Sequence, residues 1–215
     1  MVVNKPAGMI VHSAPGHSDG SLAEELLKSR PGMAAVGSRE RPGVVHRLDI
    51  ETSGAMVFAK TRRAYARLRA AFESHSEVTK TYLAVLHGAP RPLSGTIETT
   101  IGRKPWDARR MAVDVPGGKR AVTRWNTLQR QGSLALVEFV IETGRTHQIR
   151  VHAAHLGHPV VGDALYGDRD RDRRLAVRPG RHLLHAARLE FPHPVTGRRM
   201  SFTACPPDDL VYVRG

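Results

Sequence analysis

Cysteine is nearly missing from this chain of 215 residues: Cys205 stands alone. One thiol closes no intramolecular disulfide and builds no cysteine-rich zinc cluster, so nothing asks for an oxidising compartment. Long apolar runs are missing too. No stretch approaches bilayer-spanning length, and the N-terminus carries no signal-peptide pattern, so a cytoplasmic protein without membrane attachment is expected. There is no Walker A loop, and no glycine-rich dinucleotide turn opens a helix after a strand. That argues against nucleotide-driven chemistry and a nucleotide cofactor. Acidic residues are scarce: 20 Asp and Glu stand against 33 Lys and Arg, a formal net charge of +13. An excess of that size points to a polyanionic partner, nucleic acid ahead of an anionic membrane. The plain alternative is a solubilising surface.

Hydrophobic residues at 40% and charged residues at 25% describe a globular chain long enough for a sizeable core. Val2-Val3-Asn4 reads as the end of a strand that starts abruptly, followed by a Lys5–Gly8 turn and a short strand candidate at Met9–His12. Ser21 and Glu24 fit a capping box ahead of a helix with Leu22, Leu26 and Leu27 on one face. Residues 29–42 read as a surface loop. Thr61 caps a second predicted helix with Tyr65, Leu68 and Phe72 inward and Arg63 and Arg67 outward. Strands are expected at Lys80–Leu86, Gly95–Ile101, Arg110–Val115, Ala121–Gln129, Leu134–Glu142, Leu183–Phe191 and Met200–Thr203. A helix fits Thr146–Leu156, with Ile149, Ala153 and Leu156 as its buried stripe and Gly157 as its C-cap. Asp168–Arg181 reads as a mobile loop. Strands outnumber helices and adjoin in sequence, so the expected class is α+β with a mixed, mostly antiparallel sheet.

Three places invite chemistry. His46-Arg47-Leu48-Asp49 runs into Thr52-Ser53-Gly54 and an apolar strand, which puts a short carboxylate on a tight loop. Asp49 is either a nucleophile or base kept ionised by a nearby arginine, or a turn-former bonded to backbone amides. Arg145-Thr146-His147-Gln148-Ile149-Arg150-Val151-His152 opens a helix with two arginines and two histidines, an anion site or a solvated face. Tyr82 could stack on a base or pack in the core. The twelve histidines include His147, His152 and His155 at close spacing, but no carboxylate joins them in a recognised metal pattern, and no metal site is expected.

Taken together and in order, these motifs resemble the RluA family of RNA pseudouridine synthases. The similarity runs through Asn4–Gly8 with Val11-His12, His46–Asp49 with Thr52–Gly54, Lys80-Thr81-Tyr82-Leu83-Ala84, and Glu142–His152. It continues through Leu156–Pro159 and into Gly162, Asp163, Tyr166 and Gly167. The resemblance implies a pseudouridine synthase fold, a bent sheet flanked by helices and loops, in a single catalytic domain spanning 1–215. It implies isomerisation of specific uridines in RNA, with Asp49 as the essential carboxylate, Arg150 as its pairing cation and Tyr82 stacked on the uracil. Arg47 would enter the RNA stack vacated by the flipped nucleotide. No cofactor is implied, because the reaction involves no net redox change and consumes no water. The family's fuller first strand and the S4-like domain of many members are not seen, so RNA choice would rest on basic residues. The candidates are Arg62, Arg63, Arg67, Arg103, Lys104, Arg109, Arg110, Arg145 and His147. Ile101-Gly102-Arg103 with Arg110–Val113 is similar to the branch acting on large-subunit ribosomal RNA; transfer RNA is the second candidate substrate, and a monomer is expected. Two other readings stay open. One is a non-catalytic RNA-binding module of the same fold that assists ribosome assembly. The other is a base-releasing hydrolase, which generally needs a second carboxylate that Glu51 is poorly placed to supply.

Overall fold

The computed structural model describes residues 1–13 and 20–213, with side chains as far as Leu210. In chain order the first elements are β1 (Val2–Lys5), α1 (Leu22–Ser29), a 3-10 turn (Pro31–Ala35), β2 (Gly37–Ser38), β3 (Arg41–Pro42), β4 (Ser53–Val57) and α2 (Arg62–Ser74). Then come β5 (Thr79–His87), β6 (Ser94–Arg103), β7 (Met111–Val113), β8 (Lys119–Gln131), β9 (Leu134–Ile141), α3 (Gln148–His155) and α4 (Arg169–Arg173). The last are β10 (Leu184–Pro192), β11 (Arg199–Thr203) and a 3-10 turn (Asp208–Val213). This is the α+β class. The chain forms two compact units: Met1–Lys80 with Ala186–Cys205, and Thr81–His185 with the described part of Pro206–Gly215. No helix among the described residues is long and apolar enough to cross a membrane.

In the first unit the strands lie in the order β1-β4-β10, with β11 on β10. β1 and β4 are antiparallel, Val2 opposite Val57 and Lys5 opposite Gly54; β10 and β11 are antiparallel from Arg188–Thr203 to Pro192–Arg199. Gly54 is required here. Its φ is +121°, and a Cβ at this position would sit 2.3 Å from the Ala186 carbonyl oxygen. α2 packs its Leu68 and Ala71 into a core with Val45, Val57, Val78, Leu189 and Phe191. Each such fully buried large side chain contributes about 1.5–3 kcal/mol relative to exposure. The Thr61 hydroxyl accepts from Ala64 N–H at 3.2 Å and starts this helix, and His75 ends it in the left-handed conformation. The Ser21–Glu24 capping box forms as the sequence predicts.

Two local expectations fail in this unit. Met9–His12 is not a strand: the Ile10 and Val11 carbonyls instead accept from Leu22 and Ala23 N–H at 2.9 and 3.0 Å. They satisfy donors that the first turn of α1 would otherwise leave orphaned. Residues 29–42 are not an open loop. They form the first 3-10 turn and the β2–β3 ribbon, and Met33 is almost wholly buried.

In the second unit the strand order is β5-β9-β8-β6-β7. β8 pairs antiparallel with β9 and β6, and β6 with β7. Val137, Phe139 and Ile141 of β9 point into the core, as their alternation predicts. β5 buries Tyr82, Ala84 and Leu86 as expected, but Val85 and His87 are buried as well. Helix α3 starts two residues later than its periodicity predicts, because His147 holds a left-handed φ of 57°. It is buried on every side from Gln148 to Ala153 rather than along one stripe, and Leu156 is only half-buried. The 168–181 segment contains α4, capped by the Asp168 carboxylate. Asp172 of α4 accepts from His87 Nε2 at 2.8 Å and from Gly162 N–H at 3.0 Å, which ties this helical turn to the unit.

Candidate active site

Asp49 belongs to the first unit, half-buried on the turn that leads into β4. The turn closes on itself: the Asp49 carbonyl accepts from Thr52 N–H at 3.1 Å. It is also clamped from outside. Lys5, completely buried, sends its ammonium to the carbonyls of Pro6 (2.8 Å), Met9 (2.7 Å) and Ile50 (2.8 Å). Gly8 N–H reaches the same Ile50 carbonyl at 3.0 Å. A buried ammonium is tolerated only with such partners. Here the partners join the N-terminal turn to the residue beside Asp49, so the carboxylate stands on a backbone held from both sides. Sequence reasoning missed Lys5. The signal was a lysine ending an apolar strand just before a proline turn.

His46 supports the same loop. Its Nε2 accepts from Val57 N–H at 3.0 Å, and its ring stacks on Phe72 of α2 with centroids 4.5 Å apart. Burial, then the charge of Lys80, pushes its pKa down to about 3. The ring is therefore neutral at physiological pH, and the acceptor role of Nε2 places its proton on Nδ1. Arg47 is exposed on this loop, and Arg62, Arg63 and Arg67 are exposed on α2. Arg62 Nε donates to the Ala35 carbonyl at 3.1 Å.

Arg150 and Tyr82 belong to the second unit, both buried, at 5% and 8% exposure. One reading of the sequence puts Arg150 on a solvated helix face. In fact it lies inside, with Nε and Nη2 donating to the two carboxylate oxygens of Asp163 at 2.7 and 2.8 Å. Such a fork-to-fork pair fixes the guanidinium plane. Burial works against the charge of Asp163. The hydrogen bonds and charge of Arg150, with the N–H groups of Tyr166 and Leu165, outweigh it and hold the carboxyl below its usual range. The Arg150 guanidinium carbon also lies 5.2 Å from the Tyr166 ring centre. The Tyr166 hydroxyl meets His147 Nδ1 at 2.8 Å and accepts from Met111 N–H at 2.7 Å. Asp163 and Tyr166 thus organise the arginine. Their signal in the sequence was an acid between glycine turns, near a cation that burial would leave uncompensated.

The start of α3 is a polar network rather than an open anion site. Gln148 Oε1 accepts from Thr143 Oγ1 (2.8 Å) and Arg145 N–H (3.0 Å), and its Nε2 donates to Val122 O and Thr123 Oγ1. His152 meets Thr123 Oγ1 at 2.8 Å through Nδ1 and Thr99 Oγ1 at 3.0 Å through Nε2. Burial and the neighbouring His155 push its pKa down to about 4 against an opposing pull from Asp114. Arg145 Nε is bonded to the Arg120 carbonyl at 2.9 Å. Arg103, Lys104, Arg109 and Arg110 gather at the turn between β6 and β7. Among the described residues, no group of three or more His, Cys, Asp or Glu side chains is arranged to hold a metal ion.

Comparison with known proteins identifies the family. The family profile described as RNA pseudouridylate synthase matches residues 1–155, a span that includes Lys5, Asp49, Tyr82 and Arg150. An uncharacterized RNA pseudouridine synthase of Chloroflexus aurantiacus is 48% identical over 98% of this chain and 64% of its own length. The ribosomal large subunit pseudouridine synthase D of Zymomonas mobilis is 40% identical over 98% of this chain and 67% of its own. The chain thus spans about two thirds of the length of these relatives. Among solved structures, human RNA pseudouridylate synthase domain containing 1 superposes with a TM-score of 0.75 at 32% identity, covering 96% of this chain and 79% of that one. With the profile match spanning most of its length and these relatives aligned almost end to end, the chain belongs to the RNA pseudouridylate synthase family.

Proposed function

We propose that this chain converts uridine within RNA to pseudouridine, acting in the cytoplasm as a monomer with residues 1–215 as one catalytic domain. The N1–C1′ glycosidic bond breaks, the uracil turns while bound, C5 joins C1′, and the proton lost from C5 is balanced by one gained at N1. The observation that carries this reading is the Asp49 turn, anchored through Ile50 by the buried ammonium of Lys5 inside the family-matched segment. A carboxylate on a rigid turn can meet a nucleoside without ordering itself first. Arg150 is the cation assigned to the reaction, and its orientation is set by Asp163. Tyr82 stacks on the uracil. Arg47 fills the gap in the RNA stack, since reaching the glycosidic bond requires extruding the nucleotide at a cost of roughly a few kcal/mol.

Large-subunit ribosomal RNA is the favoured substrate, because relatives such as the Zymomonas mobilis protein are named for it. The test is to incubate the protein with RNA from cells lacking the gene and map pseudouridine. Asp49→Asn should abolish turnover and leave RNA affinity within about tenfold, since affinity comes mainly from phosphate contacts. Turnover surviving in that variant would remove Asp49 from its role. RNA binding by the unmodified protein with no new pseudouridine would instead mark a non-catalytic module.

A further inference from the structure

We infer that the turn between β6 and β7 is a stacking platform for an unpaired base of the bound RNA, with Trp106 as the ring that meets it. The inference rests on the RNA reading above and adds a contact that none of its catalytic roles requires.

The backbone speaks first. Pro105 and Trp106 are the central residues of a turn closed by Asp107 N–H on the Lys104 carbonyl at 3.3 Å. Trp106 holds a φ of +67°. Glycine or asparagine occupies that conformation cheaply, whereas a bulky aromatic residue is strained in it. The indole is also fully exposed, so it recovers nothing by burial. The other tryptophan, Trp125, is only 8% exposed, and its Nε1 donates to the Pro92 carbonyl at 3.3 Å. A strained residue that gains no packing points to a use outside the fold.

The surroundings identify the partner. From Arg103 to Arg110 the chain carries four cations, Arg103, Lys104, Arg109 and Arg110, against the single carboxylate of Asp107. The turn is braced internally. Lys104 N–H reaches the Arg110 carbonyl at 2.8 Å, Arg110 N–H reaches the Asp107 carbonyl at 3.0 Å, and Arg103 Nη1 reaches the Ala108 carbonyl at 2.5 Å. An aromatic face presented on a preorganised, positively charged turn suits a base whose own backbone carries negative charge. A hydrophobic protein partner would have to desolvate these cations without neutralising them.

The test uses the intact chain and an oligoribonucleotide of about twelve nucleotides, single-stranded or as a duplex of the same sequence. Trp106→Ala should weaken binding of the single strand about five- to a hundredfold and of the duplex less than about twofold. Trp106→Phe should retain most of the affinity and Trp106→Leu should not. Single-strand binding should quench tryptophan fluorescence in the unmodified chain, and this quenching should vanish in Trp106→Phe. Trp106→Gly, which relieves the backbone, should lose affinity and unfold at no lower temperature than the unmodified chain. Unchanged single-strand affinity in Trp106→Ala, or Leu performing as well as Phe, would overturn the platform. So would an earlier unfolding of Trp106→Gly, which would make the ring structural. A concentration-dependent dimer abolished by Trp106→Ala would also overturn it, by assigning the ring to self-association. Quenching that persists in a chain making no pseudouridine would uphold the platform and sink only the catalytic reading.

Discussion

Helices α2 and α3 spend their polar residues in opposite ways. α2 buries Leu68 and Ala71 and turns Arg62, Arg63, Arg67 and Arg69 to the surface. α3 is buried all round, and Gln148, Arg150 and His152 lie inside with named partners for each. On α2 a charged side chain is replaceable, because water can take over its partners. On α3 each polar group is committed, because removing one partner strands the other in a medium that will not solvate it. The comparison teaches where to look for specificity in a basic protein. Charge on an exposed helix supplies affinity, whereas polar residues on a buried helix set geometry.

The sharpest way to break the contrast is Asp163→Ala. It strips Arg150 of two charge-assisted bonds, and urea unfolding should show a loss of about 3–5 kcal/mol. A loss below about 1 kcal/mol would mean that the pair is not structural. Acid should act next. The folded-state pKa of His152 lies near 4 and that of His46 near 3, both below the ordinary 6.5. The unfolded chain therefore binds more protons in this window. The stability these neutral rings support is complete above pH 6.5 and falls as the pH drops towards 4 and then 3, by roughly a few kcal/mol. His152→Asn should flatten that slope in urea midpoints taken between neutral and acid pH, and an unaltered slope would exclude His152 as its source. The smallest effect belongs to α2. Arg63→Ala or Arg67→Ala should change stability by less than about 0.5 kcal/mol. Where the side chain touches phosphate, the variant should lower the slope of log affinity against log salt by about one. A slope unchanged in both variants would remove this helix from the RNA face.

Much of the fold was legible in the residues. Alternation located β5 and β9, and the Thr61 and Ser21 caps marked two helix starts, because these signals are local and act through neighbouring backbone groups. The candidate residues Asp49, Tyr82 and Arg150 stand out as motifs, but what braces Asp49 and Arg150 does not. Met9–His12 has strand composition, yet its carbonyls serve α1, which no local pattern reveals. The 168–181 segment looks like charged loop, but Asp172 finds His87, 85 positions away in the chain. Lys5 passed unnoticed because its role depends on Ile50, 45 residues on. Trp106 escaped because its exposure and left-handed backbone become visible only once the turn is built.

What the order of residues determined alone is the repertoire: the charge excess, the capped helices, the alternating strands, and a carboxylate on a glycine-ended turn. Period, capping and charge depend on near neighbours or on composition, so they survive without a fold. The tertiary structure decided which of the many cations are committed. Arg150 is locked to Asp163 and Lys5 to three carbonyls, while Arg63 and Arg67 stay at the surface. That choice turns on burial, since an arginine in water and an arginine beside a desolvated carboxylate are the same letter with different free energies.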